Sequence, residues 1–164
     1  MTLIEIVVYT AILFILTLVV VNVVIAMNRT YRTFTSLSTV ETSAEVSLER
    51  MTREIRDATS VDTAQSTLGS SPGQLMLNTT DASGTATTIQ FFTLGQTLRV
   101  KEAGVDVGPL SGAARVSNLV FRKLVSAQAT AVKIEMTLES GSGSNYESKQ
   151  FYSTVVLRGS YPVQ

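Results

Sequence analysis

The sequence predicts an α+β fold in which one long N-terminal helix packs on an antiparallel β-sheet. Three observations predict this fold. No Pro or Gly interrupts residues 1–57. Apolar residues recur at intervals of three or four in the second half of that stretch, as they do along one face of a helix. From residue 74 onward, short β-prone segments alternate with Gly- and Ser-rich turns, and one helix followed by a run of strands is an α+β pattern.

The first half of the predicted helix is apolar on every side. Residues 6–27 contain no charged side chain, and these roughly 22 residues form a helix of about 33 Å, enough to cross a bilayer. A secretory signal would have a shorter apolar core with basic residues before it. We therefore predict a hydrophobic helix over residues 1–27 and a globular domain over residues 28–164.

The second half of the helix, residues 28–57, is amphipathic. Its apolar residues have a mean spacing of about 3.4, which matches one helical stripe. We expect this stripe to face the sheet, and the first half of the helix to project from the domain. The stripe consists of Tyr31, Phe34, Leu37, Val40, Ala44, Leu48, Met51 and Ile55.

The opposite face of this helix carries Glu41, Glu45 and Glu49 at intervals of four residues. Such a row can indicate carboxylates for catalysis or metal binding. The spacing of opposite charges favours a simpler interpretation, a ladder of surface ion pairs along the helix. The predicted ladder is Glu49–Arg53–Asp57 together with Arg50–Glu54.

The rest of the chain predicts a loop over residues 58–73 and an antiparallel sheet over residues 74–158. Residues 132–138 alternate apolar and polar side chains, the pattern of a half-buried strand. Gly95-Gln96 indicates a hairpin turn, and residues 104–112 and 141–145 indicate loops. The predicted strands are 74–78, 87–93, 97–101, 115–124, 132–138 and 151–158.

Composition excludes several classes of function. The 13 basic and 13 acidic residues cancel, whereas nucleic-acid binding requires a surplus of positive charge. The chain has no Cys and no His, which excludes disulfides, the usual zinc ligands and His-based acid–base catalysis. No catalytic constellation is evident. We expect no enzyme activity, cofactor, metal, nucleic acid or small-molecule substrate.

The charges around the apolar helix give an ambiguous orientation. Arg29 and Arg32 follow the helix, and no positive residue precedes it. Because positive charge normally marks the cytoplasmic side, the globular domain would be cytoplasmic. The opposite orientation is expected if a basic leader originally preceded Met1.

The first five residues, Met1-Thr2-Leu3-Ile4-Glu5, followed by an apolar helix, resemble the N-terminal methylation motif of type IV pilins and pseudopilins. The resemblance covers about the first third of the chain, and the helix-then-sheet layout is also similar to that family. It implies that a prepilin peptidase removes a basic leader and that Met1 is then N-methylated. It also implies that the domain lies outside the cytoplasmic membrane.

The resemblance implies a role for Glu5. A charged carboxylate at membrane depth costs a few kcal/mol or more unless it is paired. In the family, this glutamate is thought to pair with the N-terminal amine of a neighbouring subunit, here Met1. Two alternatives stay open: a weak pair with the amine of the same helix, one turn away, and contact with lipid headgroups.

The function implied is that of a structural subunit of a type IV pilus or related filament. Its partners would be other copies in a helical homopolymer, the assembly machinery, and the inner membrane before assembly. Arg29 and Arg32 would then contact the Glu41/Glu45/Glu49 face of a neighbour. The alternatives are a minor pilin or secretion or competence pseudopilin, and a single-span membrane protein with an extracytoplasmic binding domain. Adhesion and twitching motility are roles that the family supports.

Two departures from the family pattern are visible. Many members have a Pro near position 22, where this chain has Asn22 within a β-branched run that is intrinsically weak helix. Whether the helix loosens there is left open. Many members also close the C-terminal region with a disulfide, which a chain without Cys must replace by sheet pairing.

Overall fold

The computed structural model describes residues 2–127 and 129–160 of the chain. One helix, α1, runs without a break over Leu3–Asp57, which corresponds to about 83 Å at 1.5 Å per residue. It passes through the β-branched run around Asn22 and through the predicted domain boundary after residue 27. At its C-terminal end, the backbone N–H of Ala58 donates to the carbonyl of Glu54 at 3.0 Å.

In the described residues, eight strands follow the helix, and each pair of neighbouring strands is antiparallel. They form a five-stranded sheet in the order β1-β2-β3-β4-β5 and a three-stranded sheet in the order β6-β7-β8. The α+β prediction is therefore confirmed, with the strands divided between two sheets. The strands are β1 (Ser60–Val61), β2 (Leu75–Thr80), β3 (Ala86–Leu94), β4 (Thr97–Glu102), β5 (Val105–Pro109), β6 (Arg115–Val125), β7 (Thr130–Ser140) and β8 (Glu147–Val156).

The turns show where the sequence patterns succeed and where they fail. The predicted Gly95-Gln96 turn joins β3 to β4, with positive φ of 57° and 66°, as a two-residue hairpin of the primed type requires. The prediction that residues 104–112 form only a loop is wrong, because β5 pairs there with β4. A register shift between Val100 and Lys101 accompanies this edge strand, and such bulges are common at sheet edges.

The core lies between the second half of α1 and the two sheets. The helix contributes Val40, Ala44, Met51 and Ile55, all at most 1% exposed. The alternating pattern of β7 is confirmed, since its apolar side chains are buried. The largest strand side chains in the core are Leu75, Leu77, Phe91, Leu98, Leu119, Phe121, Ile134, Met136 and Leu138.

The apolar stripe of the helix is shorter than predicted. Tyr31 and Phe34 are 71% and 68% exposed, so their assignment to the buried face is wrong. Burial begins at Ser36, close to the β7–β8 turn, where Gly141 approaches the helix. Spacing shows which residues share a helix face, but it cannot show where the opposing sheet ends.

Small polar residues complete the buried helix face. Ser36, Ser43 and Ser47 are each at most 8% exposed, and the hydroxyl of Ser47 donates to the carbonyl of Leu110 at 3.2 Å. Small side chains let the backbones of two elements approach closely, and the hydrogen bond satisfies a buried hydroxyl. A purely apolar search of the sequence misses these positions.

The loop before β2 covers the free edge of β6. The backbone N–H groups of Gly69 and Gly73 donate to the carbonyls of Phe121 and Leu119 at 2.8 and 2.7 Å. Sheet edges with unpaired backbone groups invite aggregation, and this loop protects one while connecting the two sheets. A Cβ at Gly73 would lie 2.7 Å from the Leu119 carbonyl oxygen, so the close approach requires glycine.

Candidate functional site: the apolar helix and its charged collar

The first half of α1 is uncovered. Every residue from Thr2 to Arg32 is exposed, and the large apolar side chains in this stretch range from 46% exposed at Ile25 to 82% at Leu3. By length and composition, this helix could cross a membrane. This exposed apolar surface is far larger than the apolar patches of ordinary soluble proteins. Water is therefore an unfavourable environment for it.

Polar side chains within the apolar segment bond to the helix itself. Thr10, Thr17 and Asn22 each donate to a backbone carbonyl three or four residues earlier, at 3.0, 2.8 and 2.9 Å. A donor in an apolar environment costs free energy unless it is hydrogen-bonded. These internal bonds therefore make the segment compatible with lipid or with other apolar helices.

Glu5 lies in the first turn of α1. Its Oε2 accepts a hydrogen bond from the backbone N–H of Thr2 at 3.4 Å, at the helix end where the dipole favours negative charge. Glu5 is exposed and makes no ion pair with residues 2–127 or 129–160. Met1, the predicted site of processing, methylation and pairing, lies outside the described residues, so its pair with Glu5 stays a prediction.

Arg29 and Arg32, which we call the basic collar, lie within about one and a half turns after the apolar segment. Both are exposed, and the Nε of Arg32 donates to Oδ1 of Asn28 at 3.1 Å. Within the described ranges, no carboxylate lies within 4.0 Å of either guanidinium. The β7–β8 turn faces this collar, and the Thr33 hydroxyl donates to Oδ1 of Asn145 at 3.5 Å.

The three glutamates on the outer helix face differ in their surroundings. Glu41 pairs with Lys149 of β8, with 2.8 Å between Oε1 and Nζ. Glu45 and Glu49 are exposed and form no ion pair with any residue that the structure describes. Glu45 and Glu49 are therefore the members of this row that are available to a neighbouring molecule.

Of the predicted ion pairs along the helix, Arg50–Glu54 is confirmed, and the series Glu49–Arg53–Asp57 is wrong. Arg50 Nε lies 2.9 Å from Glu54 Oε1, as predicted. Arg53 instead approaches Glu54 at 3.6 Å, and Asp57 lies 3.9 Å from Arg158. The observed partner of Arg53 is its sequence neighbour, and the observed partner of Asp57 is Arg158, which follows the last strand. The i,i+4 spacing of a helix predicts neither pair.

Long-range contacts add partners that sequence spacing does not predict. Arg50 also pairs with Glu102 of β4, which connects the helix to the five-stranded sheet. Lys149 binds Glu41 across 108 positions in the chain. Glu102 and Lys149 lie just outside the predicted strands 97–101 and 151–158, and no spacing in the sequence connects them to the helix.

The perturbed carboxyl groups all lie on the sheets or their turns. A hydrogen bond from Ser83 lowers the pKa of Asp81, and one from Arg99 lowers the pKa of Asp106. Lys133, followed by Arg122, lowers the pKa of Glu135. Each shift has a structural ion pair or turn as its cause, and the described residues contain no group of three potential metal ligands.

The fold and site define a class of protein: an α+β domain built on the second half of a helix whose N-terminal part is apolar and exposed. Glu5 is the one charged side chain among residues 2–27. Comparison with known proteins gives no particular relative. No family model, curated protein or solved structure matches this chain.

Proposed function

We propose that this chain is a structural subunit of a filament of the type IV pilus kind, assembled through the first half of α1. The observation that carries the proposal is the uncovered apolar helix with Glu5 at its head, continuous with the helix that forms the domain core. The resemblance of residues 1–5 to the N-terminal methylation motif supports the same function. In this proposal Met1 is processed and N-methylated, and the chain has no catalytic role.

The apolar half of the helix has two environments that would bury it. Before assembly it would lie in the cytoplasmic membrane, with the domain outside. After assembly it would pack against the same segment of other copies, within an extracellular filament. Full burial of one Val, Leu, Ile, Phe or Met side chain is worth about 1.5–3 kcal/mol, so either environment is strongly favoured over water.

Glu5 supplies specificity that apolar contacts lack. An apolar helix can slide along another with little change in buried area. A carboxylate that pairs with the amine of a neighbouring Met1 fixes one axial position, which is the best-attested use of a buried ion pair. Since the two partners are four residues apart in sequence, this pair defines an axial offset of at most about 14 Å between two subunits, the span of four fully extended residues.

The basic collar would contact a different neighbour. Arg32 and Glu45 are separated by about 20 Å along α1 at 1.5 Å per residue. A subunit offset by at most about 14 Å cannot bring these two residues level, whereas one offset by about 20 Å can. We therefore assign the Glu5–Met1 contact and the contact of Arg29 and Arg32 with Glu45 and Glu49 to different neighbours. Glu41 already has Lys149 as a partner, so its contribution would be smaller.

Mass spectrometry of sheared surface filaments tests the proposal. We expect this chain to be abundant in the filament fraction, with an N-methylated Met1 at its mature N-terminus. Low abundance with the same N-terminus would indicate a minor pilin or a pseudopilin. An unmethylated Met1 found only in membranes would contradict the proposal and favour a single-span membrane protein with a binding domain.

A further inference from the structure

A groove of about 280 Å³ lies where the apolar half of α1 meets the domain. Arg29 and Arg32 line its helix side, together with Ile25 toward the apolar segment. Ser144 and Asn145 of the β7–β8 turn line the other side. We call it the Arg29–Asn145 groove. Residues three apart on a helix are neighbours on its surface, so both guanidinium groups belong to one site.

The groove has more hydrogen-bond donors than its own residues use. A guanidinium carries five N–H donors, and among the described residues the two arginines donate one side-chain hydrogen bond, from Arg32 Nε to Oδ1 of Asn28. No carboxylate neutralises either arginine among the described residues. Oδ1 of Asn145 accepts from the Thr33 hydroxyl, which leaves the amide NH₂ of Asn145 as a further donor. The site therefore fits an anion with several acceptor oxygens.

Its distance from the apolar segment corresponds to a membrane surface. A hydrocarbon core of about 30 Å takes about 20 helical residues, which on this chain is residues 6–25. Arg29 then lies about 6 Å beyond the core, at the depth of the headgroups, and Arg32 about 10 Å beyond it. Because side chains on a helix point toward its N-terminus, the long side chain of Arg32 reaches back toward the same depth. Tyr31, next to Arg32, is also exposed, and Tyr is enriched at membrane–water interfaces.

We propose that the Arg29–Asn145 groove binds the phosphate of an anionic phospholipid headgroup in the leaflet that faces the domain. Guanidinium groups match phosphate oxygens as planar forks. A zwitterionic lipid would bring an additional cation near two arginines, so an anionic lipid is preferred. The inference requires only that the helix lies in a membrane, and it holds whether or not the chain forms filaments.

Native mass spectrometry of the full chain in detergent micelles with equal amounts of phosphatidylglycerol and phosphatidylcholine tests the site. We expect the wild type to retain phosphatidylglycerol several-fold over phosphatidylcholine. The double variant R29Q/R32Q should retain the two lipids equally. The control R53Q/R56Q removes the same charge at the same spacing, on exposed positions of the same helix, and should keep the preference.

A second variant pair separates the groove from general positive charge. Asn145→Asp leaves both arginines in place and puts a carboxylate beside them, so it should abolish the preference for phosphatidylglycerol. The exposed Gln150→Glu makes the same amide-to-carboxylate change on β8 and should not. A wild-type preference in R29Q/R32Q or in Asn145→Asp would overturn the site.

Added inorganic phosphate separates the two sources of the ligand. We expect millimolar phosphate to leave phosphatidylglycerol bound, because the lipid is held in the micelle beside the groove at high effective concentration. If inorganic phosphate displaces the lipid, the groove takes phosphate from either source, and the assignment to a lipid headgroup is overturned.

Discussion

The two halves of α1 share one backbone but have opposite surroundings. Residues 3–32 are exposed on all sides, whereas Val40, Ala44, Met51 and Ile55 are buried against strands. In the first half, the side chains of Thr10, Thr17 and Asn22 donate to carbonyls of the same helix. The second half bonds to the sheets through Ser47, Arg50 and Glu41.

The difference shows that one continuous helix can combine a segment packed in a domain core with an apolar segment that the domain leaves exposed. The second half of α1 is stabilised by tertiary packing on the sheets, and such packing supplies most of the stability of helices in proteins. The exposed half has no such partner among the described residues, and by length and composition it could cross a membrane. The domain should therefore be stable without the first half, while the first half should decide where the protein resides.

Deletion of residues 1–27 should give the largest effect, because it removes the apolar surface and leaves the core intact. The remaining chain should be a soluble monomer that unfolds cooperatively, whereas the full chain should require detergent or membrane. Size-exclusion chromatography and thermal unfolding measure both properties. Aggregation without cooperative unfolding would mean that the two halves are not independent.

A matched pair of isoleucines compares the halves at one residue each. Ile55 is fully buried and Ile12 is 50% exposed. Ile55→Ala should destabilise the domain by about 2–5 kcal/mol, the usual cost of deleting buried methyl groups. Ile12→Ala should leave domain stability unchanged, since it lies outside the core. Denaturant unfolding of both variants in the full chain, in the same detergent, checks the difference.

Two glycines of the β7–β8 turn test how the domain closes against the helix. Gly141 has φ of 78°, and a Cβ there would collide with the Asn145 carbonyl and the Ser36 hydroxyl. Gly143 has φ of 56° with open space around it. Gly143→Ala should cost about 1–2 kcal/mol from backbone strain. Gly141→Ala should cost more, because it adds a steric clash. Equal losses of stability in thermal unfolding would contradict this account of the turn.

The smallest effect that we predict is a change in the pH dependence of domain stability, caused by the ion pairs of Glu135 on the three-stranded sheet. The pKa of Glu135 is lowered from its ordinary 4.5, first by Lys133. A carboxyl pKa that is lower in the folded state contributes stability at neutral pH, and this contribution falls as the pH drops below about 4.5. Glu135→Gln should therefore reduce the loss of stability between pH 5 and pH 3 in urea unfolding. An unchanged pH profile would show that the Lys133 and Arg122 contacts are not maintained in solution.

Local patterns predicted most of the fold. Uninterrupted helical spacing located α1, and alternation located β7. The hairpin turn followed from Gly95 and its neighbour. Strand β5 was missed because Gly104, Gly108 and Pro109 at its ends and interior favour a loop, and the polar start of β8 was missed because Glu147–Gln150 lacks apolar alternation.

Contacts between distant parts of the chain were not predictable. The exposure of Tyr31 and Phe34 depends on where the β7–β8 turn ends beside the helix. The Arg29–Asn145 groove requires residues more than a hundred positions apart, and residues 141–145 indicated only a loop. Glu5, Arg29 and Arg32 were found because charges stand out beside an apolar run, a signal that needs no knowledge of the tertiary structure.

We propose that the exposed half of α1 is an assembly surface positioned by Glu5, and the variant Glu5→Ala removes the carboxylate on which this proposal depends. Thr10→Ala is the control, since Thr10 bonds only to its own helix, and Glu5→Gln isolates the charge. The measurement is the amount of subunit in sheared surface filaments and in the membrane fraction.

Breaking a buried ion pair costs about 3–5 kcal/mol, which lowers an association constant a hundredfold or more. We expect loss of filaments in both Glu5 variants, with subunit retained in the membrane, and normal filaments in Thr10→Ala. Wild-type filament abundance in Glu5→Ala would contradict it.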